Sequence, residues 1–517
     1  MFLQHHTAMT KRNDQPGAVT ARVALRAVAA VCLVGALLAA PVRAQLPTLG
    51  DTSEMNSSAE RKLGEKIARD LYRDPDYLDD PVLDEYVLGI WTRLLAAARA
   101  RGEITPEIDQ RFAWQVLLGK ERIINAFTLP GAWLGLQLGL VNVTANKDEL
   151  ASVLAHELIH VTQRHISRLM TQQSRQGPWL LGAMLLGALA ASKSADAANA
   201  MVAGGQALAM QNQLNFSRDM EREADRVGFG VLTQAGFEPQ GFVTMFDKLE
   251  QAARLNDSGN FPYLRTHPMT TERMADMQGR AQLIRRSPVP AEPDLVHAMM
   301  VARSRVLSSP GVDVTRSYPA EVAALAPSAS RSQKATTLYA AALASAKLRD
   351  LPAAERLAAK LATVTAGDAK ASRVSALLSA EIAMQAGDLK PAAALGDMAS
   401  PPRPELILSS QARIATGRAA ESAQRLQTWV ALHPRDAQAW QLLASAYAAE
   451  GQNLRAIEAE AETQVAHLDY QAALDRFRAA QDLARKARTP AEYVEASIID
   501  VRAREVQSLL REQAAER

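Results

Sequence analysis

The chain has 517 residues, 48% of them hydrophobic and 22% charged, with a net charge of +2. That length accommodates two or three domains at roughly 100–200 residues each, and the composition excludes an intrinsically disordered chain. Residues 1–44 hold five of the 58 Lys/Arg and one of the 56 Asp/Glu, so the rest carries 53 basic and 55 acidic side chains, a net −2 that offers no basic field to nucleic acid.

Those first 44 residues predict an export signal. Lys11, Arg12, Arg22 and Arg26 precede the apolar run AVAAVCLVGALLAA (27–40), and Val42 and Ala44 fit a cleavage site before Gln45. A run of 14 apolar residues is short for a bilayer span, which needs about 20, so a retained anchor is the weaker reading. The one cysteine, Cys32, lies inside the run and leaves with it, so the mature chain has no use for an oxidising compartment.

After a polar lead (45–59), apolar residues recur at helical spacing from Glu60 to about Ala100, and DDP at 79–81 predicts the start of the second of two helices. In ERIINAFTLPGAWLGLQLGLVNV, Leu134, Leu136, Leu138 and Leu140 alternate with Gly135, Gln137 and Gly139; this predicts a strand, with Pro130-Gly131 as a hairpin turn. A helix is then expected from Asn146 as N-cap, with Glu149 three residues on closing a capping box. Residues 166–216 read as an insertion covering the cleft. Its apolar stretch at 178–191 is too short to span a bilayer, and a peripheral membrane contact is the alternative to a buried helix. A further helix is expected over SRDMEREADRVGFGVLTQAG, ending at Gly236.

From 286 to 330 the Pro/Ser/Ala-rich composition predicts a linker containing one helix, near 293–308. Residues 331–517 are alanine-rich, with turn signals at 349–350, 387–388, 417–418 and 451–452. Trp440, Leu443, Ala444, Tyr447 and Ala456, then Ala473, Phe477 and Ala480, fall at the spacing of a tetratricopeptide repeat, which predicts a stack of helix pairs presenting a surface to another polypeptide.

The chemistry concentrates in HELIH, 156–160. Residues four apart on a helix differ by about 40° in direction, so His156 and His160 point the same way, as two imidazoles must to share one metal. Glu157, rotated by about 100°, can lie along the open side and pass a proton from water to a leaving amine. Two solvent-facing histidines are the bland alternative. Val153, Leu154, Leu158, Ile159 and Val161 wrap the helix with apolar groups and argue against it. A catalytic zinc needs a third protein ligand. The extended HExxHxxGxxH pattern is excluded by Gln163 and Ile166, so a carboxylate is expected. MEREAD offers Glu221 or Glu223, which face about 200° apart and cannot both reach the metal. Asp225, one turn beyond Glu221, can accept the second N–H of a ligand histidine. His165, five residues after His160, is expected to face about 140° away and serve the fold. His267, in LRTHPMT, either caps a loop before Pro268 or approaches the metal. His297, His433 and His467 attract no role.

Together and in this order, NAFTLPG…GLV, DELASVLAHELIHVTQRH, NFSRDMEREAD and THPMTTER resemble the zinc metallopeptidase family that includes HtpX and the CAAX prenyl endopeptidases. The mature chain resembles that family's exported form with C-terminal tetratricopeptide repeats. The resemblance implies an α+β, gluzincin-like metalloprotease domain, mostly helical with a small hairpin and edge strand, over 60–285. An all-α tetratricopeptide solenoid over 331–517 would follow. It further implies one Zn2+ per chain held by His156, His160 and Glu221, with Glu157 as base and Asp225 behind the ligands. His267 is implied to act at the open position, as a switch or on the oxyanion. Near 133–142, the strand of Leu134, Leu136, Leu138 and Leu140 is implied to pair with substrate backbone, in keeping with their alternation. The implied setting is the periplasm, with possible membrane association. There the enzyme would cleave misfolded or stalled envelope proteins while its repeats recruit outer-membrane assembly clients or machinery. The competing expectation is a chaperone or scaffold working through the repeats, its protease latent.

Overall fold

The computed structural model describes residues 55–172, 218–255, 262–284, 294–309, 311–485 and 489–514. The expected signal segment 1–44, most of the 166–216 insertion with its 178–191 stretch, and residues 285–293 lie outside them. Up to the HELIH helix the order is α1 (Ser57–Tyr72), β1 (Tyr77–Leu78), α2 (Pro81–Arg101), α3 (Pro106–Arg111), β2 (Gln115–Gly119), β3 (Ala126–Leu129), β4 (Trp133–Gln137), α4 (Leu138–Val143) and α5 (Lys147–Thr162). Next come α6 (His165–Gln172), α7 (Arg218–Gln234), α8 (Gln240–Leu255), α9 (Pro262–Thr266) and α10 (Thr271–Leu283).

Helix α2 begins where DDP predicts. Asp80 caps it by accepting from the Leu83 N–H at 2.9 Å, and Pro81 sits where a missing N–H costs nothing. Asn146 caps α5 by accepting from the Glu149 N–H at 2.9 Å. The expected capping box does not close, because the Glu149 carboxylate accepts instead from the Ala145 N–H (2.6 Å) and from Lys248 Nζ (2.6 Å). Every residue of α5 from Glu149 to Thr162 is buried, with α7 and α8 packed along it and β3 and α2 also in contact.

The sheet runs β1-β2-β4-β3, with β2 and β4 parallel and β3 and β4 antiparallel. The hairpin turn falls at Pro130-Gly131 as expected. The edge strand does not fall on the alternating leucines. β4 has a neighbour on each side, and the backbone turns helical at Leu138, so Leu134 and Leu136 lie in an interior strand while Leu138 and Leu140 belong to α4. All four are buried, at 0–1% exposure. A period of two reports which faces a strand presents, not who lies beside it. The strands at the two ends of the sheet are β1 and β3, and β3, over AFTL, is the one against α5.

Among the described residues the expected linker holds two helices rather than one, α11 (Leu295–Leu307) and α12 (Val312–Glu321). Met299, Met300, Ala302 and Val306 of α11 are fully buried, and the helix packs between α4 and α13 (Arg331–Lys347). Proline and serine mark where helices stop; they say nothing about how deeply the segments between them are buried. Among the described residues nine further helices follow α13 as far as Ala514, each packed chiefly on its sequence neighbours. Arg349, Gly387, Gly417 and Gly451 take left-handed φ of 65–87° at the expected turns. These helices close back on the sheet. Ala473, Phe477 and Ala480 share an apolar cluster with Leu63 and Ile67 of α1 and with Trp133. Arg303 of α11, itself buried, holds Asp80 through two-point contacts of 2.7–3.0 Å and Glu381 at 2.9–3.0 Å. The described residues from 55 onward therefore form one packed unit. Among the described residues, no helix is long and apolar enough to cross a membrane.

Candidate metal centre

Helix α5 carries His156, Glu157 and His160 into the interior, and α7 crosses it closely. The crossing depends on Gly228, where a Cβ would stand 3.2 Å from the Ala155 carbonyl oxygen and 3.4 Å from His156 Cα. That approach lets Glu221 and Asp225, one turn apart on α7, reach the two histidines. His267 arrives from the segment between α9 and α10. Its N–H donates to the Tyr263 carbonyl at 2.8 Å and its ring stacks on Tyr263, centroids 4.6 Å apart.

One ligand atom each from His156, His160, Glu221 and His267 lie within 4.8 Å of one another, and all four side chains are buried. The Nε2 atoms of His156 and His160 are 3.0 Å apart, and Glu221 oxygens stand 3.5 and 3.4 Å from them. His267 Nδ1 lies 3.3 Å from His156 Nε2 and 3.0 Å from Glu221 Oε1. Two donors bound tetrahedrally at the 2.0–2.1 Å of zinc would lie about 3.4 Å apart, so this set has the dimensions of a metal site. Two buried acceptors, Glu157 Oε1 and Glu221 Oε2, receive no hydrogen bond, although Arg273 Nη1 stands 2.8 Å from the latter. Unsatisfied buried acceptors are costly, and a cation beside them offsets that cost. The residues fit a divalent metal.

Behind this set, Asp225 Oδ1 accepts from His156 Nδ1 at 2.9 Å, as the sequence predicts. Burial opposes charging His156, but Glu221 and the hydrogen-bonded Asp225 carry its pKa up to about 9. Burial pushes the Glu157 carboxyl up, with His267 and His156 pulling against it. For Glu221 the same burial is overcome by His267 and His156, which hold its carboxyl well below the usual range. Burial keeps His160 well below the ordinary histidine value. Glu157 Oε2 accepts from the Thr128 hydroxyl at 3.4 Å, so its neighbour is the edge strand β3.

Sequence reasoning missed Arg273. Its guanidinium donates to both oxygens of Asp225 and to the Pro268 carbonyl while lying against Glu221. Two carboxylates one turn apart on a helix with an apolar buried side need a cation, and THPMTTER supplies one. His165 also differs from expectation. Rather than facing away, its Nδ1 lies 2.9 Å from His160 Nδ1, and Glu223 bonds its other nitrogen at 3.0 Å. The extrapolation of 100° per residue fails because α5 stops at Thr162 and Arg164 takes a left-handed φ of 52°. Glu223 stays outside the ligand set. His297 is buried on Tyr86 Oη and Thr144, and His433 and His467 lie against aromatic rings, all three away from the cluster.

Comparison with known proteins agrees with this geometry. A beta-barrel assembly-enhancing protease of Escherichia coli (strain K12) is 33% identical over 268 residues, 51% of this chain and 51% of that protein. The Yersinia pestis protein of the same name is 32% identical over 275 residues, 53% of this chain and 54% of its own length. The mitochondrial metalloendopeptidase OMA1 of Arabidopsis thaliana is 30% identical over 195 residues, 38% of this chain and 36% of that protein. The chain thus spans about half the length of the beta-barrel assembly-enhancing proteases it matches. Residues 95–281, which hold α5, α7 and the His267 segment, match peptidase family M48, and the chain carries a domain of that family.

Proposed function

We propose that the protein is an exported zinc endopeptidase of the periplasm, one zinc per chain, that hydrolyses peptide bonds of misfolded or stalled envelope proteins. The observation that carries this is the buried set of His156, His160 and Glu221 with the Glu157 carboxylate beside it. His156, His160 and Glu221 would hold the zinc, which when bound polarises a peptide carbonyl and lowers the pKa of a water. Glu157 takes the proton of the attacking water at its carboxylate and returns it to the departing amide nitrogen. Its burial and raised pKa suit a group that must both accept and give that proton. Strand β3 offers its outer edge to an extended peptide, and the Thr128–Glu157 contact sets that edge beside the base. His267 fills the fourth position of the cluster, where water or a carbonyl must come, so the arrangement supports a self-closed resting enzyme.

The helices from Arg331 to Ala514 support a tetratricopeptide reading, with Leu443, Ala444, Tyr447 and Ala456 in one buried cluster at the repeat's spacing. We assign them to recruiting outer-membrane assembly clients or machinery, in keeping with the relatives' name. The test is casein cleavage and zinc content of the mature chain and its Glu157→Gln variant. One zinc in both, with cleavage lost only in the variant, is expected. A zinc-free wild type sinks the metal centre. Full biological activity of Glu157→Gln would move the work to the helices, as a scaffold with a latent protease.

A further inference from the structure

His165 is buried next to the second candidate ligand, yet the peptidase chemistry above makes no use of it. The left-handed turn at Arg164 folds α6 back, and His165 Nδ1 comes to 2.9 Å from His160 Nδ1. On its far side His165 Nε2 lies 3.0 Å from Glu223 Oε2, which Arg168 Nη1 holds at 3.1 Å. The direction of these bonds is decided from the outer end. An ionised carboxylate only accepts, so Glu223 takes the N–H of His165 Nε2. A neutral imidazole has one N–H, so His165 Nδ1 keeps a lone pair and must accept from His160 Nδ1–H. His160 Nε2 is then the unprotonated nitrogen, and it faces His156 Nε2 at 3.0 Å and Glu221 Oε1 at 3.4 Å.

We propose that His165 and Glu223 are positioning residues that set the tautomer and ring orientation of His160, so that its Nε2 lone pair points into the metal centre. The inference rests on the metalloprotease reading. His156 receives the same treatment directly, from Asp225 backed by Arg273. His160 receives it through an imidazole backed by Glu223 and Arg168. The difference follows from helix geometry. Glu223 faces about 200° from Glu221 on α7 and cannot reach His160 itself, and the His165 ring spans the gap.

The test uses the full mature chain and three variants. His165→Phe keeps a ring but removes the acceptor. His165→Asn keeps an acceptor, Oδ1, on the same Cγ that carries Nδ1. Glu223→Ala removes the outer anchor at a half-buried position. Zinc affinity is read by chelator competition, and ligand geometry by the visible spectrum of the cobalt-substituted chain. Expected are a loss of affinity of about 10–100-fold with an altered cobalt spectrum for His165→Phe, a smaller loss for Glu223→Ala, and near-wild-type binding for His165→Asn. Unchanged affinity and spectrum in all three, beside a wild type that binds zinc, overturn the relay alone. So does a His165→Asn as weak as His165→Phe, since packing rather than the acceptor would then matter. A wild type that binds no zinc overturns the metalloprotease reading, and the relay with it.

Discussion

Arg273 and Asp225 meet as a two-point ion pair, Nε to Oδ2 at 2.6 Å and Nη2 to Oδ1 at 2.8 Å, with both side chains sealed from water. The same guanidinium lies 2.8 Å from Glu221 and donates to the Pro268 carbonyl next to His267. One cation thus balances two buried carboxylates and ties the His267 segment to α7.

Removing that cation leaves the buried Asp225 carboxylate with His156 as its remaining partner and takes a charge away from Glu221. Arg273→Ala is expected to destabilise the fold by about 3–5 kcal/mol, the usual cost of breaking a buried pair from one side. Urea unfolding of the metal-free chain measures it. A loss under 1 kcal/mol would mean that Glu221 and Asp225 do not depend on Arg273.

His267 stands among the candidate ligands and 3.3 Å from Glu157. His267→Ala should open the fourth position, keep one zinc per chain and raise casein cleavage severalfold. Reduced cleavage would point instead to a part in the reaction itself, as a donor to the oxyanion.

The metal-free chain should show a distinct pH dependence. Folding raises the pKa of His156 from its ordinary value, near 6.5, to about 9. The folded state therefore binds this proton more tightly than the unfolded state. The resulting stability is fully present below about pH 6.5 and is lost as pH rises through about 9. Glu221 and Asp225, whose pKa values are lowered, are ionised throughout that window and add no slope. Melting of the chelator-treated chain from about pH 7.5 to 10, above the range where the lowered pKa of His160 adds an opposite slope, should show this decline, and zinc should abolish it by displacing the proton. A flat profile in the metal-free chain would contradict the assignment.

Gly64 of α1 lies against the hairpin turn, where a Cβ would sit 1.8 Å from the Pro130 carbonyl oxygen and 2.9 Å from Trp133 Cδ1. Backbone cannot swing aside as a side chain can. Gly64→Ala is expected to cost about 1–3 kcal/mol through overpacking, measured as a lowered unfolding midpoint. An unchanged midpoint would show that α1 can shift off the turn freely.

Much of this site can be read from local spacing. Asn146 caps its helix because a side-chain acceptor is needed within one turn, and His156 and His160 share a face because helical pitch puts them there. Asp225 falls behind His156 for the same reason, since i and i+4 on α7 point alike. Each of these relations closes within a few residues of chain. The readings that failed reach further. Regular pitch carried past the end of α5 misplaces His165, and alternating leucines point to a strand without saying where in the sheet it lies, because a strand's neighbours come from elsewhere in the chain. The turn residues of 286–330 carry no information on depth and so leave the burial of α11 unread.

By itself, then, the sequence determined which residues are candidates for the chemistry, where their helices start and stop, and which side chains share a face, because local sterics and hydrogen bonding act within a few residues of chain. Only the tertiary structure decided that β3 is an edge strand beside α5, that Arg273 pairs with Asp225 next to Glu221, that His165 joins His160 to Glu223, and that the C-terminal helices pack back onto α1. Each of those contacts joins separate segments of the chain, and they exist because burying apolar surface on α5, α7 and the sheet forces the segments together.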